Sequence, residues 1–441
     1  MLSGSSRSQT ILKLALPIIG AMLSQSLINL IDAALVGALG EVALAGVGLG
    51  GYMMFLATAL VFGLSSSVQA QTARRHGEDN PEQRAIALHA GLLIALFVAL
   101  PLTMLCLWQA PRLLELITQQ ANVQAIAVDY FRWRVIGLVS IAMIFCFRGF
   151  WNGIQRTGIY LRIILTTHAI NVVTSVCLIY GIGLPRLGAP GAGAGTAFAL
   201  FCGLAMWAFY SRCYIGPGAD AWQWPTRKGL LTTLRLAIPH SMQQVWFAGG
   251  YAVLFWILGL IGTASVAVGH VLVNLSLLLI LPGVGLGLAA MSLVGQALGR
   301  ETPEDAHRWG WDVVHVAWAC LALLALPMLL FPDAILQLFL HDADLLAIGR
   351  LPLQLTAIMI VLDAAAIVLG QALLGAGANR TVMAVTLCSQ WLIFLPLAWW
   401  IGAVQDYGLI GVWWVQLGYR CLNSLWFVLI WQRRRWQMVS L

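Results

Sequence analysis

The chain has 441 residues, of which 60% are apolar and only 9% are Asp, Glu, Lys or Arg, and its mean hydropathy is +0.86. A soluble globular domain carries about a quarter charged residues, so these values exclude that class and indicate a polytopic membrane protein. The formal charge of +7 does not require nucleic acid, because the basic residues lie in short loops with no aromatic-plus-basic platform, and none is expected as a partner.

Apolar runs of about 20 residues, enough to cross a hydrocarbon core of ~30 Å, recur at 14–36, 45–70, 86–108, 130–152, 160–182, 190–211, 232–258, 264–294, 309–331, 351–375, 381–402 and 408–431. They are continuously apolar and lack the period-two alternation of a barrel, so the expected class is all-α with twelve transmembrane helices. The first run is about twice the length of a signal-peptide core and has no small-residue cleavage site, so it reads as a retained helix.

Twelve helices put both ends on one side of the membrane. Assigning the N-terminus to the cytoplasm gathers Arg7, Lys13, Arg74, Arg75, Arg84, Arg148, Arg227, Lys228, Arg300, Arg308, Arg380 and Arg433 to Arg435 on the inner face, and leaves few basic residues outside. Both termini are therefore expected in the cytoplasm. The eight cysteines are single and scattered, without a CxxC pair, so neither a zinc knuckle nor a redox motif is indicated.

Asp32 is the only charged side chain between Leu14 and Val36. A carboxylate inside a spanning helix costs roughly 2.5–3.5 kcal/mol on insertion scales and marks a cavity, a partner or an ion path. Further along, the Gly-rich stretches 46–51 and 283–287 lie inside apolar spans with no preceding strand, so they serve helix packing rather than nucleotide binding. On the seventh run Gln243 and Gln244 can offer amides, and Trp246 and Trp256, with Trp391 on the eleventh, are candidates for an aromatic wall that accepts a cation. Lipid and core packing compete with that role. Asp363 is a second isolated carboxylate, near mid-span, and Arg420 inside the last run needs an anion, which Asp363 supplies if the tenth and twelfth helices are neighbours. His168, His240, His270 and His315 share no metal-ligand spacing; His270 sits deepest in its span.

An offset of 222 residues aligns Leu14 to Pro17 with Leu236 to Pro239, Gly37 and Gly40 with Gly259 and Gly262, Asn80-Pro81-Glu82 with Thr302-Pro303-Glu304, and Gly153 with Gly375. Six helices separate equivalent points. The chain is thus expected to form two six-helix lobes related by a pseudo-two-fold axis along the membrane normal, an N-lobe at 1–215, a cytoplasmic linker at 216–231 and a C-lobe at 232–441. The counterpart of Asp32 is Leu254, so its charge belongs to one lobe only.

The stretch Pro17 to Gly37, with Gln25, Asn29 and Asp32, resembles the first helix of the multidrug and toxic compound extrusion (MATE) family. The segments Gln71 to Gly77 and Gly295 to Arg300 resemble its GQ-x-x-G loops after the second and eighth helices. The resemblance implies a secondary active antiporter in the bacterial inner membrane, not an enzyme, that expels small organic cations or drugs in exchange for protons or sodium ions by alternating access. It implies Asp32 as the coupling carboxylate, Asn171 and Thr196 as its polar partners, Pro17 as a hinge, and Asp363 as a second cation site. Gln25, Asn29, Gln243, Gln244, Trp246, Phe247 and Trp391 are the implied substrate contacts. No cofactor is expected, nor any metal beyond a sodium ion at Asp32, and the bilayer-embedded chain is expected to be a monomer. Two departures stand out: Ser175 occupies the place of a second acid, which favours protons, and Phe247 that of a Glu on the seventh helix. Rival readings are a flippase for lipid-linked saccharides or other amphiphiles, which tends to need several deep basic residues, and an intramembrane aspartyl protease using Asp32 and Asp363.

Overall fold

A computed structural model describes residues 4–215 and 224–439, and all the regular structure among them is helical. In chain order the helices are α1 (Gly4–Gly37), α2 (Glu41–Val61), α3 (Gly63–Gly77), α4 (Pro81–Glu115), α5 (Ala121–Ile136), α6 (Leu138–Gly153), α7 (Thr157–Tyr180) and α8 (Pro190–Ile215). They continue as α9 (Arg227–Ile261), α10 (Thr263–Gly299), α11 (Pro303–Leu330), the short α12 (Pro332–Leu336), α13 (Ala343–Gly375), α14 (Asn379–Leu387), α15 (Leu395–Trp399) and α16 (Gly408–Gln432). Two π-helical turns, Cys388–Phe394 and Trp400–Val404, extend α14 and α15 into one span.

Ten described helices are long and apolar enough to cross a membrane, and an eleventh span is the pair α5 and α6, bent by 45°. α16 is the twelfth by length. Gln416, Tyr419, Arg420 and Asn423 within it reduce its apolarity, which is the cost of carrying a polar network inside a span.

The duplication recurs in the backbone. Positive φ angles fall at Gly40 (114°) and Gly262 (156°), at Asp79 (54°) and Glu301 (57°), and at Gln155 (61°) and Gly377 (88°), each pair 222 residues apart. The turn after α1 thus repeats after α9, and the α3–α4 turn repeats after α10. Asn80 shows why the chain restarts as a helix there: its side chain accepts from the Gln83 backbone N–H at 3.1 Å and Pro81 occupies the first helical position.

Two compact units emerge, Gly20–Ser241 and, separately, Met1–Ile19 with Met242–Leu441. The cuts fall inside α1 and α9, two residues after Pro17 and Pro239, and not at the linker. The opening segment of each repeat thus packs with the unit that holds most of the other repeat. Of the expected linker, residues 216–223 lie outside the described residues, and Arg227 already begins α9.

Specific contacts hold each opening segment. In the second unit Arg7 pairs with Asp305 at 2.7 Å and Asp312 at 2.5 Å and stacks on the Trp309 ring at 3.7 Å, so the start of α1 is fixed to α11. In the first unit the start of α9 docks on α3. Ser67 Oγ donates to the Thr233 carbonyl at 2.9 Å, and Gln71 Nε2 donates to Thr233 Oγ1 at 3.0 Å. The Gly63 N–H donates to Ser241 Oγ at 2.9 Å.

Glycine sets how closely these helices approach. A Cβ at Gly63 would stand 2.0 Å from the Ala237 carbonyl oxygen, and at the equivalent Gly285 it would meet Ile19 Cγ1 at 2.5 Å. Within the first unit Gly149 abuts the Ser65 carbonyl at 2.4 Å, and within the second Gly375 abuts the Met291 carbonyl at 2.4 Å. In lipid, where apolar burial gives helices little reason to associate, such close contact supplies the packing energy.

Gly63→Ala is therefore expected to destabilise the protein by about 1–3 kcal/mol, the usual penalty for overpacking. Gly48→Ala, where a Cβ meets nothing within 4 Å, should leave stability unchanged. Thermal unfolding of both variants in detergent checks the contrast.

Candidate functional site

α1 places Gln25, Asn29 and Asp32 at i, i+4 and i+7, one polar stripe along its length. Gln25 Nε2 donates to Asn29 Oδ1 at 3.3 Å, and both side chains are exposed. Asp32, one turn on, is half-buried against α7. Its Oδ2 accepts from Asn171 Nδ2 at 3.4 Å, while Oδ1 is buried without a hydrogen-bond partner among the described residues.

The Asn171 amide is oriented from behind. Ser175 Oγ, on the next turn of α7, donates to Asn171 Oδ1 at 3.0 Å, which leaves the Nδ2 donors for Asp32. Ser175 is fully buried because α8 approaches through Gly195, where a Cβ would stand 2.6 Å from Ser175 Oγ. The residue that replaces an expected acid thus has a place in the site as the orienter of the amide. Thr196 follows Gly195 on α8 but donates to its own helix, at the Ala192 carbonyl (2.8 Å), and no hydrogen bond joins it to Asp32.

Two further residues bear on this region. Arg134 on α5 is the basic residue whose charge reaches Asp32, with no ion pair between them among the described residues. Tyr180 at the end of α7 donates to the Leu35 carbonyl at 2.9 Å, pinning α1 one turn beyond Asp32. Neither was singled out from sequence. An Arg near a span end reads as a topology signal, and a Tyr at a helix terminus as interfacial.

In the second unit Asp363 on α13 meets Arg420 on α16, Nη1 to Oδ2 at 2.5 Å, with the two side chains 3% and 11% exposed. Asp363 Oδ1 and Arg420 Nε remain buried without partners. Tyr251 lies within hydrogen-bonding range of Arg420, and the Tyr419 ring lies 5.5 Å from its guanidinium carbon. Ser424 Oγ donates to the Leu362 carbonyl at 2.7 Å, which seats α16 against α13 one turn from the ion pair. The partner of Asp363 is thus a cation and not a second carboxylate, so it does not form the proton-sharing dyad of an aspartyl protease.

The α9 face adds aromatic and amide groups to the same unit. Trp246 and Trp391 meet edge to face at 5.1 Å, and Trp391 Nε1 donates to the Trp246 carbonyl at 3.1 Å. Trp391 stands in the first π-helical turn, a local widening common at functional positions. Phe247 packs edge to face on Tyr251 at 5.0 Å. Gln243 donates to Thr386 Oγ1 at 3.3 Å and leaves Oε1 without a partner, and Gln244 is half-buried beside it. Trp256 is exposed. Pro17 lies within the continuous helix α1, two residues before the unit boundary.

Of the histidines, His240 is the buried one, its Nδ1 2.6 Å from Ser66 Oγ and its ring against Phe62. His270 is deep in its span yet exposed, with Asn274 Nδ2 3.1 Å away. No cluster of three or more His, Cys, Asp or Glu residues that could hold a metal ion occurs among the described residues.

A family model described as MatE matches residues 17–177 and 239–400. Its two segments begin at Pro17 and Pro239, 222 residues apart, at the offset of the repeat. The chain is 27% identical to a "Probable multidrug resistance protein NorM" of Bradyrhizobium diazoefficiens over 91% of its own length and 88% of the relative's. It is 28% identical to a protein of the same description from Pseudomonas aeruginosa, over 92% and 85% respectively. Among solved structures, a MOP superfamily transporter from Pyrococcus furiosus, described as having a binding pocket of reverse polarity, superposes with a TM-score of 0.90 at 20% identity, covering 98% of this chain and 97% of that one. An outward-facing multidrug resistance MATE family transporter superposes at 0.88 with 21% identity and 97% coverage of both chains. At these identities the superpositions establish the shared twelve-helix, two-lobe fold.

Removing one member of the Asp363–Arg420 pair leaves the other charge buried alone, a loss of about 3–5 kcal/mol. Arg420→Met and Asp363→Asn should therefore each lower the unfolding temperature markedly. The double variant Asp363→Asn/Arg420→Met should recover much of that loss, and simple addition of the two single effects would contradict the pairing.

Proposed function

The chain belongs to the MatE family, and from that membership we propose that it is a secondary active antiporter that exports organic cations or drugs in exchange for protons or sodium ions. The multidrug resistance descriptions of the curated relatives support the substrate class. The observation that carries the reading is Asp32, a half-buried carboxylate with one oxygen on Asn171 and the other without a partner. That oxygen is unpaired, and in this reading it meets a proton, a sodium ion or a cationic substrate once the site opens.

In this reading an outward-open state admits a cation to the ionised Asp32. Protonation or sodium binding then neutralises the carboxylate and weakens its hold on the substrate. α1 responds by bending near Pro17, where the ring removes one helical hydrogen bond. The unit boundary at Ile19 and Gly20 supports that placement, since the helix passes there from one packing environment to another. The lobes rock, the coupling ion leaves inward, and the cycle restarts.

Protons are the favoured coupling ion. Around Asp32 the first unit offers one carboxylate, one amide and, at the position of a second acid, the Ser175 hydroxyl. Asn171 and Ser175 are assigned to orienting the carboxylate, Thr196 to a neighbouring polar wall, and Gln25, Asn29, Gln243, Gln244, Trp246, Phe247 and Trp391 to substrate. Asp363 is assigned a secondary coupling role in which Arg420 acts as its resident counter-ion. Because Arg420 is committed to Asp363, it does not offer a free cation to a pyrophosphate, which supports cationic cargo over lipid-linked saccharides. The chain is placed in the bacterial inner membrane as a monomer with both termini in the cytoplasm, supported by the inward bias of Lys and Arg.

Everted vesicles energised separately by a pH gradient or a sodium gradient provide the test. Wild type should export a fluorescent cation under the pH gradient. Asp32→Asn should reach the membrane in normal amount with export at background, whereas Asp363→Asn should retain part of it. Normal efflux by Asp32→Asn would sink the mechanism.

A further inference from the structure

The second unit carries a groove that no step of transport uses. Ala384, Val385 and Cys388 form one wall and Trp426, Leu429 and Ile430 the other, Arg433 joins the lining, and the volume is about 400 Å³. The lining follows helix geometry, since Ala384 and Cys388 are four residues apart on the α14 span, while Trp426, Ile430 and Arg433 stand at i, i+4 and i+7 on α16. One face of each helix therefore builds it. From Trp426 to Arg433 the rise is roughly 10 Å at 1.5 Å per residue.

Polarity is graded along that length. The walls are apolar and belong to a membrane-spanning helix on one side, whereas Arg433 stands just past Gln432, where α16 ends. Neighbouring charge is mostly basic, with Glu304 the acidic exception. Arg434 is engaged by Glu304, but Arg433 has no ion-pair partner among the described residues, and Arg435 beyond it and Arg380 in the first turn of α14 are also exposed and outside the ion pairs. Topology alone accounts for basic residues at the end of a span. It does not account for an apolar groove that leads up to an unpaired one.

We propose that this groove binds one anionic phospholipid of the surrounding bilayer, an acyl chain lying between Ala384, Cys388 and Trp426 and the phosphate resting on Arg433. The apolar channel selects a chain, and the unpaired guanidinium selects a negatively charged headgroup, as basic pockets between membrane helices do. A zwitterionic lipid brings its own ammonium group and gains less from Arg433. Free phosphate has the charge but nothing to fill the channel.

Native mass spectrometry of the full-length protein, released from detergent in an equal mixture of phosphatidylglycerol and phosphatidylcholine, measures the preference. Wild type should retain phosphatidylglycerol, and Arg433→Gln should reduce that preference about fivefold, the effect of one interfacial basic residue. Arg435→Gln should leave it unchanged, and Ala384→Trp, which fills the channel, should lose bound lipid of both kinds with the same helicity and elution volume as wild type. Equal retention of the two lipids by wild type, an equal drop in Arg433→Gln and Arg435→Gln, or displacement of the lipid by excess inorganic phosphate would each overturn the proposal. Because Arg433 is exposed at a helix end, its variant keeps the test decisive even where Ala384→Trp fails to fold.

Discussion

Lipid tails are as apolar as the side chains they surround, so helices in a bilayer must be held by how closely they can approach and by the polar groups they can satisfy. This chain meets the first demand with glycine at its crossings. The Cβ that is missing at Gly63, Gly149, Gly285 and Gly375 would overlap a neighbouring carbonyl or side chain. The same device builds the Asp32 site. Gly195 brings α8 onto Ser175, the buried Ser175 turns Asn171, and Asn171 presents its amide to the carboxylate.

The second demand is met differently in the two units. Asp32 keeps an amide partner and one buried oxygen without a hydrogen bond. Asp363 is locked to a guanidinium at 2.5 Å, with Tyr251 and Tyr419 around it. A duplicated scaffold thus carries two unlike carboxylates, and the repeat places neither opposite the other: the equivalent of Asp32 is Leu254, a core residue 2% exposed.

Much of this was legible in the sequence because the signals were local or periodic. Twelve apolar runs gave the helices, and Pro17 with Pro239 gave the register of the duplication. Asp32 announced itself by its cost, and the Asp363–Arg420 pair followed from two charges that each needed an opposite. What stayed hidden depends on three-dimensional neighbours. Ser175 read as the loss of an acid, when its hydroxyl orients Asn171. Arg134 read as topology, and His270 drew notice from its depth while His240 is the one enclosed. The packing of the opening segments was hidden for a similar reason. Loops and composition mark where a chain turns, but no residue near Ile19 or Ser241 reveals which body a helical segment will pack against.

The exchanged opening segments bear on how the protein is made. The first unit is not complete at residue 215, where its last own helix ends, because the segment up to Ser241 belongs to it. The opening residues of the chain, in turn, have their body only when α11 and its Asp305 and Asp312 have been synthesised. Arg7 therefore leaves the ribosome some 300 residues before its partners. Until α11 enters, the foot of α1 lacks these partners, so this anchor closes only after eight earlier spans have been made and with three still to come.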